Sequence, residues 1–149
     1  MNLLNLDEKN RELFSKTVHS LIQKHKLPAQ DIFLNVLESE EAPEMNYWMT
    51  KVLIQEHFVS AQKELGKDEN GETVKPIHAA CLLRNVGMLA ALLEMNAYSG
   101  GLHEKDFQLA ARIASKYKDE ALLSLMMRYA QELGSLEVFM KALQNAPTQ

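Results

Sequence analysis

Apolar residues return every three or four positions along most of this chain, and almost nowhere at every second position. The first spacing lines one face of a helix; strands need sustained alternation with β-branched residues. Leu13, Phe14, Val18, Leu21 and Ile22 predict a helix over residues 7–25, with Asp7 as N-cap and Glu8 and Glu12 near the positive end of its dipole. Ile32, Phe33, Val36 and Leu37 predict a second helix beginning at Pro28, which suits a first turn because its missing N–H is not needed there. Met45, Trp48, Met49, Val52, Leu53 and Val59 supply the buried face of a third, over residues 43–65, with Gly66 free to stop it in the left-handed conformation. The stretch 67–75 (KDENGETVK) is polar and contains Asn70-Gly71, a strong turn signal, so it is expected to be a mobile loop.

After that loop the periodic segments shorten and pair. Residues 76–83 and 86–95 form one pair and 104–117 and 119–133 the next, separated by Ser99-Gly100-Gly101. A last helix over 136–144 follows Gly134 and Ser135. The fold class is all-α: a compact helical domain of about eight helices, with three long N-terminal helices followed by α-solenoid-like helix pairs. A chain of 149 residues fits one domain over 1–149, divided into a helical half (1–66), a polar loop (67–75) and a helix-pair half (76–146). A chain of this length buries enough surface to hold a core without metal or disulfide.

Composition narrows the function classes. Hydrophobic residues make up 46% of the chain and charged residues 24%, which is a globular balance rather than a disordered one. The formal net charge of −4 argues against nucleic acid, whose phosphates need clustered Lys and Arg. The short basic run Lys24-His25-Lys26 falls at a helix end, where cations complement the dipole. No uninterrupted apolar stretch approaches the roughly 18 residues of a membrane span, and residues 1–10 lack the pattern of a signal peptide. The only cysteine, Cys81, excludes an intrachain disulfide and fits a reducing, cytoplasmic setting.

Residues 75–97, KPIHAACLLRNVGMLAALLEMNA, carry the most specific local pattern. They resemble the helical body of an ankyrin repeat: Pro76, Ile77, His78 and Ala80 fall on the P-L-H-x-A positions, Met88, Leu89, Leu92, Leu93 and Glu94 on the second helix, and Ala97 on the closing alanine. Asn96 replaces the usual glycine after that helix, Lys75 stands where the family has Thr, and Arg84 replaces the glycine between helices. Residues 107–130 look like a second copy with about four extra residues, roughly one helical turn. The resemblance implies a protein-binding role, with the turns and inner helices as the contact surface. It assigns partner contacts to Asp68, Asn70, Glu72, Lys75, Tyr98, His103 and Lys105 on the loops 68–75 and 98–105, and to Arg84 on the opposite turns. Ankyrin-like units are also common in proteins that intracellular bacteria deliver into host cells, so a bacterial effector or its regulator is a variant of the same reading.

Catalytic and metal motifs are missing. His19, His25, His57, His78 and His103 include no pair three or four residues apart, so zinc-protease and di-iron patterns lack their ligands. His78 and Cys81 share a helix face, but the alanines and leucines around them read as core. Glu38, Glu40, Glu41 and Glu44 lack the alternating ligands and central glycine of a calcium loop and read as a solvated helix end. The methionines could line an adaptable groove, although core packing is the simpler account. The resulting expectation is a non-catalytic module that binds another protein through inter-helix loops and a helical groove, with no cofactor and no metal. Two alternatives stand beside it. One is an enzyme using dispersed residues such as Glu56, His57 and His103. The other is a structural homo-oligomer, such as a homodimer, joined through an apolar patch around Trp48 or around Leu136, Val138, Phe139 and Leu143.

Overall fold

The computed structural model describes residues 3, 4, 6–98 and 100–144, with the side chain of Tyr98 left aside. A 3-10 turn at Glu8–Asn10 leads into α1 (Arg11–Gln23), α2 (Ala29–Leu37) and α3 (Pro43–His57). A two-stranded antiparallel hairpin follows, β1 (Gly66–Lys67) paired with β2 (Thr73–Val74). Then come α4 (Pro76–Leu82), α5 (Val86–Tyr98), α6 (Glu104–Lys116), α7 (Glu120–Glu132) and α8 (Leu136–Gln144). The expected all-α domain of eight helices is the observed architecture.

The helices stack as two layers. α2 neighbours α4, α4 neighbours α6 and α6 neighbours α8; in the other layer α3 packs on α5 and α5 on α7, while α1 packs on α3. The pairing expected of the second half therefore extends back to α2 and α3. Their lengths hid this, because α3 has 15 residues and α4 only 7. The core is aliphatic and alanine-rich where the layers meet, with Ala80, Ala90, Ala91, Ala110, Ala111, Ala114 and Ala130 all buried among Leu89, Leu92, Leu93 and Leu122. Small residues let the helices approach closely. At Gly87 an added Cβ would lie 2.2 Å from the Pro43 carbonyl oxygen, so α5 meets the start of α3 with no room for a side chain.

Three connections share one backbone geometry. Arg84, Lys118 and Gly134 each take φ near the left-handed well (56°, 53° and 71°). The next residue then reaches back to an alanine carbonyl: Asn85 to Ala80 at 2.8 Å, Asp119 to Ala114 at 3.2 Å and Ser135 to Ala130 at 2.8 Å. This is the Schellman closure of a helix end. It places Asn85 and Asp119 to cap the following helices, through Asn85 Oδ1 to the Met88 N–H at 2.9 Å and Asp119 Oδ1 to the Leu122 N–H at 3.2 Å.

Several boundaries differ from expectation. α3 stops at His57, not at 65, because Phe58 turns left-handed at φ 56°. Val59 is buried all the same, held by its N–H to the Leu53 carbonyl at 3.1 Å, so its position one heptad after Val52 mimicked a continuing helix. Pro28 precedes α2 as its N-cap, in extended conformation. Asn96 is inside α5, donating to the Leu92 carbonyl at 2.7 Å, and Gly100 takes the left-handed role instead at φ 99°. Trp48 and Phe139 are fully buried, so neither offers an oligomer surface; the exposed apolar residues at the α7–α8 end are Met127, Leu136 and Met140. Among the described residues no helix is long and apolar enough to cross a membrane.

Candidate functional site: the groove beneath the hairpin

The polar stretch expected to be a mobile loop is a closed hairpin. Asp68 makes the turn: its Oδ1 accepts the N–H groups of Asn70 and Glu72, both at 2.9 Å, while Gly71 supplies φ 79°. An aspartate bonding the backbone ahead of it mimics a peptide turn. Leu65 and Val74 close the base, N–H to carbonyl at 2.7 Å.

The hairpin leads into α4, whose start is tied to α6. His78 Nδ1 accepts the Lys75 N–H at 3.2 Å, so Nε2 carries the proton and donates to the Asp106 carbonyl at 3.0 Å. Lys75 adds an ion pair to the Asp106 carboxylate at 2.8 Å. An ammonium has no lone pair, so Lys75 cannot perform the accepting half of a capping box; it reaches across to the next helix pair instead. Burial pushes the His78 pKa below its ordinary value, against the raising influence of the Asp106 carbonyl and carboxylate. The imidazole is a neutral structural link.

Between the hairpin and the faces of α4 and α6 lies a groove of two joined recesses, of about 300 and 390 Å³. Val74, Leu82, Leu109, Ile113 and Tyr117 give the first an apolar lining, with Asp68, Asn70 and Glu72 on one wall and Arg112 and Lys116 on the other. Glu72, His78, Leu109 and Arg112 continue into the second, which Lys75 and Lys105 border. Leu82 and Tyr117 are 40% and 38% exposed and border the same recess. Arg112 is half-buried between the two recesses, with its Nε occluded and without a hydrogen-bond partner among the described residues.

The expected contact residues divide. Asp68, Asn70, Glu72, Lys75 and Lys105 all border the groove, with Lys75 committed to Asp106. Arg84 lies just beyond it, its guanidinium 5.2 Å from the Tyr117 ring centroid and 3.9 Å from the Asp119 carboxylate. The hairpin loop and the helix turns were expected at opposite ends. α4 is only two turns long, and the hairpin tip shares a recess with Leu82 and Tyr117. His103 is exposed at the N-cap of α6 and lines neither recess. Tyr98's side chain lies outside the described residues.

Sequence reasoning missed Leu109, Arg112, Ile113, Lys116 and Tyr117, the α6 wall. Their spacing of three, four, seven and eight from Leu109 places them on one helix face, so the signal was present. It was passed over because that face mixes Arg and Lys with apolar residues and reads as an ordinary half-buried surface.

Of the dispersed acid–base residues, Glu56 and His57 line one open recess against α1 together with His19, while His103 lies in another part of the fold; Glu56 accepts the Ser15 hydroxyl at 2.6 Å and faces Arg11 at 3.7 Å. The Ser15 hydroxyl donates to the Glu56 carboxylate and not to an imidazole. Cys81 is fully buried, and burial, with the nearby Asp119 carboxylate, pushes its thiol up to about 12. Among the described residues no cluster of three His, Cys, Asp or Glu has metal-binding geometry. No family model, curated protein or solved structure matches this chain.

Proposed function

We propose that this chain is a non-catalytic protein-interaction module, an adaptor, inhibitor or effector-type regulator, that holds a segment of a partner protein in the groove beneath the hairpin. One observation carries the reading: apolar Leu82, Ile113 and Tyr117 line the same recess as the cationic Arg112 and Lys116, beneath a wall of hairpin residues. A partner segment with an apolar side chain beside a carboxylate or carbonyl group would fill the recess and satisfy the guanidinium together. A hairpin leading into two short helices, with a neutral His at the start of the first, supports the ankyrin-like reading of residues 75–97. A cytoplasmic setting, in the producing cell or in a host, suits a protein whose cysteine is a buried thiol.

The test is affinity capture from the native cell with the wild-type chain, a Leu82→Ser/Tyr117→Ala variant and a Leu13→Ser/Met140→Ser control. All four positions are exposed, so folding is retained. The reading expects a partner held by wild type and control and lost by the groove variant. Equal recovery by all three contradicts it.

A further inference from the structure

α3 and α5 bury charge between them. Glu94 is completely inaccessible, and the Lys51 ammonium lies 3.6 Å from its Oε2. Tyr47, one turn before Lys51, donates its hydroxyl to the same oxygen. The ammonium also sits 5.1 and 5.3 Å from the ring centroids of Tyr47 and Trp48. A buried ion pair is seldom better for stability than apolar residues of the same volume, because desolvation offsets the attraction. Net stability is therefore a weak account of this group.

The other carboxylate oxygen has a different task. Glu94 Oε1 accepts the N–H of Leu3 at 2.7 Å, and Arg128 on α7 donates from Nη1 to the carbonyl of the same Leu3 at 2.8 Å. Both polar groups of one residue's backbone are thus held by side chains 91 and 125 positions away. The Leu3 side chain is 2% exposed, and Leu4 and Leu6 pack against the core beside it. The carboxylate is oriented from behind by Tyr47 and Lys51, which leaves one oxygen presented. That is the form of a preorganised recognition site, in which the receptor's own contacts fix the recognising group.

We propose that Glu94 and Arg128, backed by Lys51 and Tyr47, form a peptide-binding clamp that the chain fills with its own Leu3 segment. Its external ligand is an apolar segment of a partner with leucine at the clamped position, held in the turn that Leu3 and Leu4 adopt. Backbone hydrogen bonds of this kind tolerate many sequences, and the leucine pocket supplies the selectivity. The resident segment is a tethered competitor, so a ligand in trans binds more weakly by the fraction of time the clamp is self-filled. The clamp draws on α3, α5 and α7, whereas the groove lies between the hairpin, α4 and α6, so the two sites are independent.

The probe is the acetylated, amidated peptide Asn-Leu-Leu-Asn-Leu-Asp, the sequence of residues 2–7, titrated into isotope-labelled full-length chain and followed by NMR. Saturable shifts at the Leu3 amide and the Arg128 side chain are expected, with faster exchange of the Leu3 amide as the resident segment is displaced. Leu3→Pro removes the resident N–H donor and should tighten peptide binding at least about tenfold. Adding Arg128→Met to that variant should reverse the gain. No shift at these positions up to about 1 mM peptide overturns the proposal, as does a folded Leu3→Pro variant that binds no more tightly than wild type. If Leu3→Pro does not fold, the wild-type titration decides alone. Sedimentation of the wild-type chain should give a monomer; a dimer exchanging this segment would make a second copy the occupant and overturn the partner-peptide reading.

Discussion

Asn85 donates from Nδ2 to the Val36 carbonyl at 2.8 Å, joining the turn between α4 and α5 to the end of α2. The same nitrogen reaches the Leu37 carbonyl at 3.1 Å, and Oδ1 caps α5. One buried amide thus satisfies two helix-end carbonyls and one helix-start N–H across two helix pairs. Asn85→Ala should cost about 2–4 kcal/mol, the range for a lost cap together with unsatisfied buried carbonyls. Asn85→Asp should cost at least as much, because a carboxylate keeps the cap and turns acceptors toward two carbonyls. Urea unfolding of the three proteins checks the order.

The α3–α5 crossing makes a sharper demand. Gly87 has backbone φ that any residue could adopt, so its constraint is space, with Pro43 backbone 2.2 Å from a prospective Cβ. Gly87→Ala should destabilise by about 1–3 kcal/mol, as overpacking does, although alanine favours helices more than glycine. A neutral or stabilising effect in thermal unfolding would show that the helices separate freely there.

His78 is accommodated neutral, with its folded pKa below the ordinary 6.5. As pH falls through 6.5 the unfolded chain binds a proton that the folded chain refuses, so stability drops through the window from 6.5 down to the lowered folded value. Above 6.5 the contribution is constant. Unfolding midpoints from pH 7.5 to 5 should therefore fall less steeply in His78→Gln, which should already be weaker by about 1–2 kcal/mol at pH 7.5 through loss of the Lys75 N–H acceptor.

Much of this was legible in the sequence because it depends on periodicity. The stripes of α1 and α2 and the paired helices of the second half follow from where Leu, Ile, Val and Ala recur. The stacking of α2 and α3 with the later pairs was not legible, since it rests on contacts between residues more than forty positions apart, such as Asn85 with Val36 and Gly87 with Pro43. At the groove, the hairpin residues stood out by their turn chemistry, while the α6 wall became visible only once Asp68 and Tyr117 were seen to share one recess. Glu94 read as an ordinary helix residue, and only Leu3, 91 positions earlier, shows what its carboxylate holds.

Cys81 gives a labelling test of the non-catalytic reading. With its thiol pushed up to about 12, it stays protonated at neutral pH and should resist iodoacetamide in the folded chain and react on unfolding. Above pH 9 the unfolded thiol ionises while the folded one does not, so stability should fall as pH rises from 9 toward 12. Rapid modification of the native protein at pH 7 would contradict the burial on which this rests.

The most direct test of the central claim is hydrogen–deuterium exchange of the full chain with and without its captured partner. Binding beneath the hairpin predicts slowed exchange in residues 68–74 and 109–117, with α1 and α8 unchanged. Protection confined to α1 or α8, with the hairpin and α6 exchanging as in the free protein, would contradict it.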